Sequence, residues 1–345
     1  MKTAVVILNW NTRDYLRQFL PGLVTSCEGL DAEVIVADSA STDGSLEMLS
    51  EEFPDIRQIP LDGNYGFTGG YNRALTQVEA DYFVLINSDV EVPPGWLQPL
   101  TDWMDTHPAC GICGPKLLSW HRRDTFEYAG AAGGLLDKYG YPFCRGRVLQ
   151  KVEKDEGQYD TPQDVLWISG ACLMVRSGLW RRLGGLDDRF FAHMEEIDLC
   201  WRAQLDGWQV TVVPASYVWH IGGGTLPNDS PWKLELNYRN NLLLLENNLA
   251  RTFKARGEAP GKALRHARSR ILTRMVLDGC SAFTYLVTKR WASFKAVLAA
   301  HRAYRTLRRK PTLEAVAAQS RTPVHGLHPY WIIPRALKRK TSLSE

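Results

Sequence analysis

Short, uninterrupted apolar runs alternate with amphipathic stretches through the first quarter of the chain. Ala4–Leu8, Glu33–Ala37, Arg57–Pro60 and Tyr82–Ile86 read as strands, and consecutive apolar residues bounded by turn signals fit strands covered on both faces. Between them, Asp14 to Thr25 places Tyr15, Leu16, Phe19, Leu20 and Leu23 on one helical side. Ser41-Thr42-Asp43-Gly44 reads as a turn and cap before a helix carrying Leu46, Leu49 and Phe53. Gly69 to Val78 reads as a third helix. Strands alternating with helices predict an α/β layer fold with a mostly parallel sheet. Ligands of such sheets gather outside the carboxyl ends of the strands.

Beyond residue 90 the pattern changes. Pro93-Pro94-Gly95 opens a helix at Trp96, Gly130 to Gly134 reads as loop or hairpin, and residues 150–164 as a polar exposed loop. Val165–Val175 is apolar but interrupted by Gly170, and Val210–Val213 reads as a late strand. After Pro231 the chain turns helical, and Lys262 to Lys310 contains no proline. The expected division is a first unit over 1–228 and a mainly helical extension over 229–345.

Charge separates the same two regions. Residues 251–345 hold 21 Lys and Arg against 4 Asp and Glu, whereas the rest holds 20 against 34. A basic tail implies an anionic partner. Seven cysteines without a regular framework argue against a disulfide scaffold. Cys110-Gly111-Ile112-Cys113 has no second pair to complete a zinc site and reads as buried thiols. Ala4–Leu8 is too short for a secretory core, and Ile271–Val287 carries Arg274 and Asp278, costly at a bilayer centre. The expectation is a cytoplasmic, reduced protein.

Five clusters carry candidate chemistry. Asn87-Ser88-Asp89 directly follows Tyr82–Ile86. A carboxylate there, with Mg2+ or Mn2+, would grip a diphosphate; an Asx turn is the plainer alternative. Asp38 ends a strand and could accept hydrogen bonds from a base or ribose, while Asp43 could simply cap the next helix. Gly63 to Asn72 is a glycine-rich loop whose amides suit an anion, without the G-x-G-x-x-G dinucleotide spacing. Glu195, Glu196 and Asp198 stand beside aromatic residues and are costly unless solvated, paired or functional. One could be a general base, or the three could be an acidic first helical turn. His220 could ligate a metal at a strand end or be structural.

The order and spacing of these clusters resemble family 2 glycosyltransferases of the GT-A fold, especially bacterial rhamnosyltransferase-like members, from about Val5 to about Thr225. Val5 to Asn11 is similar to the family's opening strand, Ala37 to Ser45 to its "VDNGSTDGS" stretch, and Asn64 to Asn72 to its "N-x-G-F-A-G-G-x-N" loop. Gly170 to Val175 and Gly184 to Asp187 are similar to its acceptor-side segment. The resemblance implies that Asn11 and Asp38 contact the nucleotide, with Asn64, Gly66, Phe67, Gly70 and Asn72 in the donor loop. It sets Asn87, Ser88 and Asp89 at the D-x-D element, with Asp89 and His220 as metal ligands. It puts Glu196 in the general-base position, although many relatives have Glu-Asp where this chain has Glu195-Glu196. A glutamate reaches one methylene further, so Glu195 is the alternative base. Gly170, Ala171 and Asp198 fall on the acceptor side, and the flat ring of Trp167 or Trp219 suits a sugar face. Arg239 could reach the diphosphate or lie on the surface.

The activity implied is inverting, metal-dependent transfer of a sugar from a nucleotide diphosphate donor to a glycan or lipid-linked glycan in bacterial surface polysaccharide synthesis. Rhamnose on dTDP is the first expectation and UDP-hexoses the next. A catalytically inactive sugar-nucleotide or glycan-binding protein is the alternative. In the tail, Leu264, Ile271, Leu272, Met275, Val276 and Phe283 form an apolar stripe beside Arg265, Arg268, Arg270 and Arg274. That suits peripheral attachment to an anionic membrane surface at its inner face; packing on the core or in a homo-oligomer is the alternative. Nucleic acid is excluded as a partner by the lack of interleaved stacking aromatics.

Overall fold

The computed structural model describes residues 2–222 and 230–338. The early apolar runs form β1 (Thr3–Asn9), β2 (Ala32–Asp38), β3 (Arg57–Pro60) and β4 (Tyr82–Ile86), interleaved with α1 (Arg13–Cys27), α2 (Ser45–Glu52) and α3 (Gly66–Leu75). β1 pairs in parallel with β2 and β4, and β2 with β3. Every β4 residue and all but one of β1 are buried, which is why neither run alternates with polar residues.

The middle of the chain contributes β5 (Val90–Glu91), α4 (Gln98–Thr106), β6 (Cys110–Ser119), β7 (Gly134–Leu136), β8 (Pro142–Cys144), β9 (Arg147–Val148), β10 (Lys151–Val152) and β11 (Gln163–Asp164). There follow β12 (Cys172–Arg176), α5 (Ser177–Leu183), a 3-10 turn at Asp188–Phe190, α6 (Glu195–Leu205) and β13 (Gln209–His220). Among the described residues one sheet has nine strands in the order β11-β13-β6-β12-β4-β1-β2-β3, with β5 paired to β13. β12 runs antiparallel between β4 and β6, and β13 parallel to β6. β7 to β10 form a small antiparallel sheet.

Three elements differ from expectation for local reasons. Gly170 breaks the apolar run, leaving only Cys172–Arg176 as strand. β13 extends to His220 rather than stopping at Val213, with a register shift between Val212 and Tyr217. Pro214 lies at that shift and hides the continuation, since a proline cannot donate to the ladder. Residues 150–164 are not a free loop, because the buried Lys116 ammonium holds Asp155 and Asp160 at 2.6 Å each. Cys110 and Cys113 are free and buried in β6, and burial pushes both thiols up.

The tail folds as α7 (Pro231–Ala255), α8 (Pro260–Val287), α9 (Trp291–Leu307), α10 (Leu313–Ala317) and α11 (Ile332–Lys338). Leu242 to Leu245, Ala263, Leu264, Ala267 and Tyr304 join one hydrophobic core with Leu85, Leu173 and Trp201. The Trp201 indole donates to Thr252 Oγ1 at 2.9 Å. The expected boundary at 228 and 229, and the end of the family resemblance near Thr225, lie outside the described residues. The tail's apolar stripe divides: Leu264 is buried, Ile271 and Met275 pack against the core, and Leu272, Val276 and Phe283 are exposed. Among the described residues no helix is long and apolar enough to cross a membrane.

Candidate active site

The carboxyl ends of β1, β2 and β4 are tied by one buried network. Ser88 Oγ lies 2.7 Å from Thr12 Oγ1, which donates to Asn9 Oδ1. Asn9 Nδ2 donates to Asp38 Oδ2 at 2.6 Å, and Ser41 N donates to Asp38 Oδ1 at 2.8 Å. Asp38 therefore has no exposed surface and both oxygens are occupied. In this structure it shapes the loop that carries Asn11. Asn11 itself is exposed, at φ 54°, and accepts from Thr42 N.

The glycine-rich loop shows why its residues are small. A Cβ on Gly66 would lie 2.5 Å from Phe191 O, and one on Gly70 would lie 2.7 Å from the Leu8 side chain. Asn64 Oδ1 accepts from Gly66 N, and Phe67 packs edge-on against Tyr71. Asn72 departs from its donor-side expectation. Its amide donates to Leu186 O and Asp188 Oδ1 and accepts from Leu186 N, locking the 184–188 turn. That turn borders a separate recess of about 460 Å³ shared with Arg202, Asn247 and Arg309.

Asp89 and His220 meet from opposite ends of the first two-thirds of the chain. His220 Nε2 stands 3.2 Å from Asp89 Oδ1, and Ile221 N donates to the Asp89 carbonyl. Behind the ring, Glu127 Oε1 lies 3.7 Å from Nδ1, an ion-pair distance too long for a hydrogen bond. Burial alone would lower the imidazole, but the two carboxylates outweigh it and lift His220 to about 10. Burial likewise works to raise Asp89, yet the His220 contact holds its carboxyl below the usual range. Asn87 Nδ2 lies 3.5 Å from the same Nε2.

Glu195 and Glu196 open α6. Glu195 is buried (4% exposed) while Glu196 keeps an open edge. Burial and the neighbouring Glu196 push Glu195 well above the ordinary carboxylate range. Burial lifts Glu196 to about 7 against the backbone amides at the helix start, which work the other way. One oxygen of each has no hydrogen-bond partner.

The Gly170–Ala171 turn joins the two acidic groups. Ala171 O accepts from Asn87 N at 3.0 Å, and a Cβ on Gly170 would lie 3.4 Å from Phe67 and 3.6 Å from Glu196 Cβ. The Cys144 thiol, raised chiefly by burial, feels both Glu127 and Glu196. Asn87 to Asp89, Phe67, Gly170, Glu196 and His220 thus share one rim of the sheet.

Three further expected site residues are engaged by bonds within the chain. Asp198 has no exposed surface and accepts from Arg202 Nε at 2.6 Å, Asn247 at 2.9 Å and Asn248 at 2.8 Å, so it ties α6 to α7. Trp167 is 3% exposed, its indole donates to Leu135 O, and its ring packs on Gly134. Arg239 donates to Phe190 O at 2.6 Å and to Asn240 Oδ1, which directs it to the segment before α6. The Trp219 ring is covered by the Arg123 guanidinium at 4.4 Å.

Other rim residues escaped the sequence reading. Glu127 lies in a glycine-rich stretch whose only signal was an acid among apolar neighbours. Lys233 is lowered chiefly by burial and feels Glu127, and His193 is lowered to about 4 by burial and then by Lys233. Asn240 stands beside Arg239, which drew attention for its charge.

A sheet with an antiparallel strand set beside β4, and charged groups gathered at its carboxyl edge, defines a GT-A nucleotide-sugar fold. The solved structure of GalNAc-T7 with UDP, GalNAc and Mn2+ shares this fold, with a TM-score of 0.54 at 14% identity over 71% of this chain and 48% of that one. Residues 4–161 match the model described as Glycosyl transferase family 2. The chain is 27% identical over 259 residues to the N-acetylglucosaminyl-diphospho-decaprenol L-rhamnosyltransferase of Mycobacterium tuberculosis, covering 70% of this chain and 83% of that protein. It is 24% identical to the rhamnosyltransferase WbbL of Escherichia coli K12, over 63% of this chain and 82% of that one. Residues 4–161 thus form a family 2 glycosyltransferase domain, the chain is similar to rhamnosyltransferases, and the protein is a glycosyltransferase.

Proposed function

We propose that the protein transfers a sugar with inversion, rhamnose from dTDP first among donors, to a hydroxyl of a glycan or lipid-linked glycan in surface polysaccharide synthesis. The reading rests most on one observation: Glu196, partly exposed as a residue but with its carboxyl lifted to about 7 by burial, stands across the Gly170–Ala171 turn from Asp89 and His220. A base whose midpoint lies near ambient pH is ionised in a large share of the molecules and still has a useful affinity for the proton it takes. Glu196 takes the proton of the acceptor hydroxyl. The acceptor oxygen then bonds to the anomeric carbon as the bond to the diphosphate oxygen breaks, its electron pair leaving with the diphosphate. Attack opposite the leaving group inverts the configuration.

Asp89 Oδ1 and His220 Nε2 face each other at a separation that suits two ligands of one divalent cation. A carboxylate and an imidazole are donors that would suit Mg2+ or Mn2+. When bound, that ion supplies neutralisation of charge on the leaving diphosphate.

The acceptor side carries the membrane reading. Leu272, Val276, Phe283 and Val287 recur at spacings of four, seven and four residues and are 62–66% exposed, within ~60° on a helix turning ~100° per residue. Arg265 and Arg268 extend this exposed side toward the α8 start, and Lys289, Arg290 and Trp291 follow at the α8–α9 turn. A face with apolar and cationic residues and no exposed acid suits an anionic lipid surface.

The donor is tested by melting the protein with dTDP, UDP or GDP, with and without Mn2+. We expect dTDP with Mn2+ to raise the melting temperature most, and dTDP-rhamnose to be turned over. A larger rise with UDP moves the donor to UDP-hexoses, and no rise with any of them overturns the reading. For the surface, the full chain should float with phosphatidylglycerol vesicles, and Phe283→Asp with Val287→Asp should abolish flotation. Equal flotation of that variant removes the face from the role.

A further inference from the structure

The four residues before α6 are held in an unusual backbone. Phe191 (φ 63°), His193 (φ 69°) and Met194 (φ 74°) all lie in the left-handed region, and none is glycine. Non-glycine residues persist there only where surrounding contacts over-determine them. Met194 is the residue on which α6 begins, so the path of this segment sets where Glu195 and Glu196 start.

Those contacts come from two sides. On one, the Phe191 carbonyl accepts from Thr68 N at 3.1 Å, in the glycine-rich loop at the start of α3. On the other, a single nitrogen, Asn240 Nδ2 of α7, donates to three carbonyls: Phe190 at 3.0 Å, Ala192 at 2.7 Å and His193 at 2.7 Å. An amide nitrogen has two hydrogens, so these bonds are shared. Three carbonyl partners on one side and Arg239 Nε on the other fix which end of the amide faces the segment. Asn240 has no exposed surface. Arg239 adds a bond to Phe190 O, and Trp232 covers the Phe191 ring edge-on at 5.5 Å. The segment is therefore strung between the donor loop and α7, with the Phe191 carbonyl turned to the loop and those of Phe190, Ala192 and His193 turned to α7.

We infer that Asn240 is a positioning residue for the acidic pair: its amide holds the strained Phe190–Met194 segment so that Glu196 stands at the rim beside Gly170. Aspartate at this position would set a carboxylate against three carbonyl oxygens. Alanine would release all three carbonyls. In either case the segment relaxes toward ordinary backbone angles, and the start of α6 moves with it. The helical tail thereby completes the site, although it touches neither reacting atom. As a role in catalysis this rests on Glu196 being the base; as a structural assignment it does not.

The test follows Glu196 directly. The intact protein is labelled with glutamate enriched in 13C at the side-chain carboxyl, and the resonance lost in Glu196→Gln identifies the group. In the unaltered chain its midpoint is expected near 7. In Asn240→Ala and the milder Asn240→Ser it should fall by at least a unit as the carboxyl gains water, and dTDP-rhamnose turnover should fall ~10–100-fold while dTDP affinity stays within about twofold. Asn241→Ala is the control. It removes the neighbouring buried amide, which donates to Gly140 O elsewhere, and should leave the midpoint in place at a similar loss of melting temperature. A midpoint unmoved in Asn240→Ser, or moved equally in Asn241→Ala, overturns the assignment. Near-normal turnover by Glu196→Gln overturns the base instead, while the midpoint still decides the role of Asn240.

Discussion

Two acidic groups share one rim of the sheet, and their environments drive them in opposite directions. Asp89 is buried with a cation in contact, and the His220 ring holds its carboxyl down. Glu195 and Glu196 are set beside each other without such a partner, and burial pushes both up. Burial is common to both, so the counter-charge decides. The chemistry divides accordingly: a carboxylate that stays ionised suits gripping a cation, and one poised near neutrality suits taking up a proton.

The strongest way to break this contrast is Glu196→Gln. We expect transfer to fall ~10³-fold, within the span of a lost general base, with dTDP affinity by calorimetry unchanged. Near-normal turnover would move the base to Glu195. Asp89→Ala should lower transfer at least ~100-fold and remove its stimulation by Mn2+; activity indifferent to both the substitution and a chelator would sink the cation half of the comparison.

The pH profile sharpens the other half. Glu196 must be ionised to act, so kcat/KM should fall about tenfold per unit below a midpoint of about 7. Stability should run the other way. The folded state binds this proton more tightly than the unfolded chain, whose glutamates titrate near 4.5. Stability is therefore fullest below that value and declines as pH rises through about 7. Glu196→Gln should lose this decline, read as a melting temperature higher than that of the unaltered chain at pH 8 but not at pH 4. The smallest effect is expected behind the ring. Glu127→Gln should weaken Mn2+ binding ~10-fold, as outer-shell partners of a ligating histidine do, measured by calorimetry; an unchanged affinity would make Glu127 a structural acid.

How far the sequence could be read depended on how local each cause was. β4 fell where its apolar run did, because a strand covered on both faces leaves no polar position inside it. β13 was cut short in the reading because Pro214 resembles a stop, whereas the ladder with β6 resumes beyond a shift. Resemblance gave Asp89, Glu196 and His220 the same standing as Asp38, Asn72, Trp167, Asp198 and Arg239, whereas the structure sets the first three on one rim and engages the other five in bonds within the chain. What separates the two groups is who else reaches each side chain. Asp198 is occupied by Asn247 and Asn248 from α7, nearly fifty positions away, and nothing near Asp198 in the chain announces that.

By itself the amino-acid sequence determined the alternation of strands and helices, the acidic front and basic tail, and the residue types available at each strand end. These follow from hydrophobic patterning, turn chemistry and charge, all carried within a few residues. Only the tertiary structure decided which acids are paired, which stay open, and that a helix of the tail supplies the amide holding the segment before Glu195. Those outcomes rest on contacts between residues fifty to more than a hundred positions apart, where desolvation and partner charge, rather than residue type, set the chemistry.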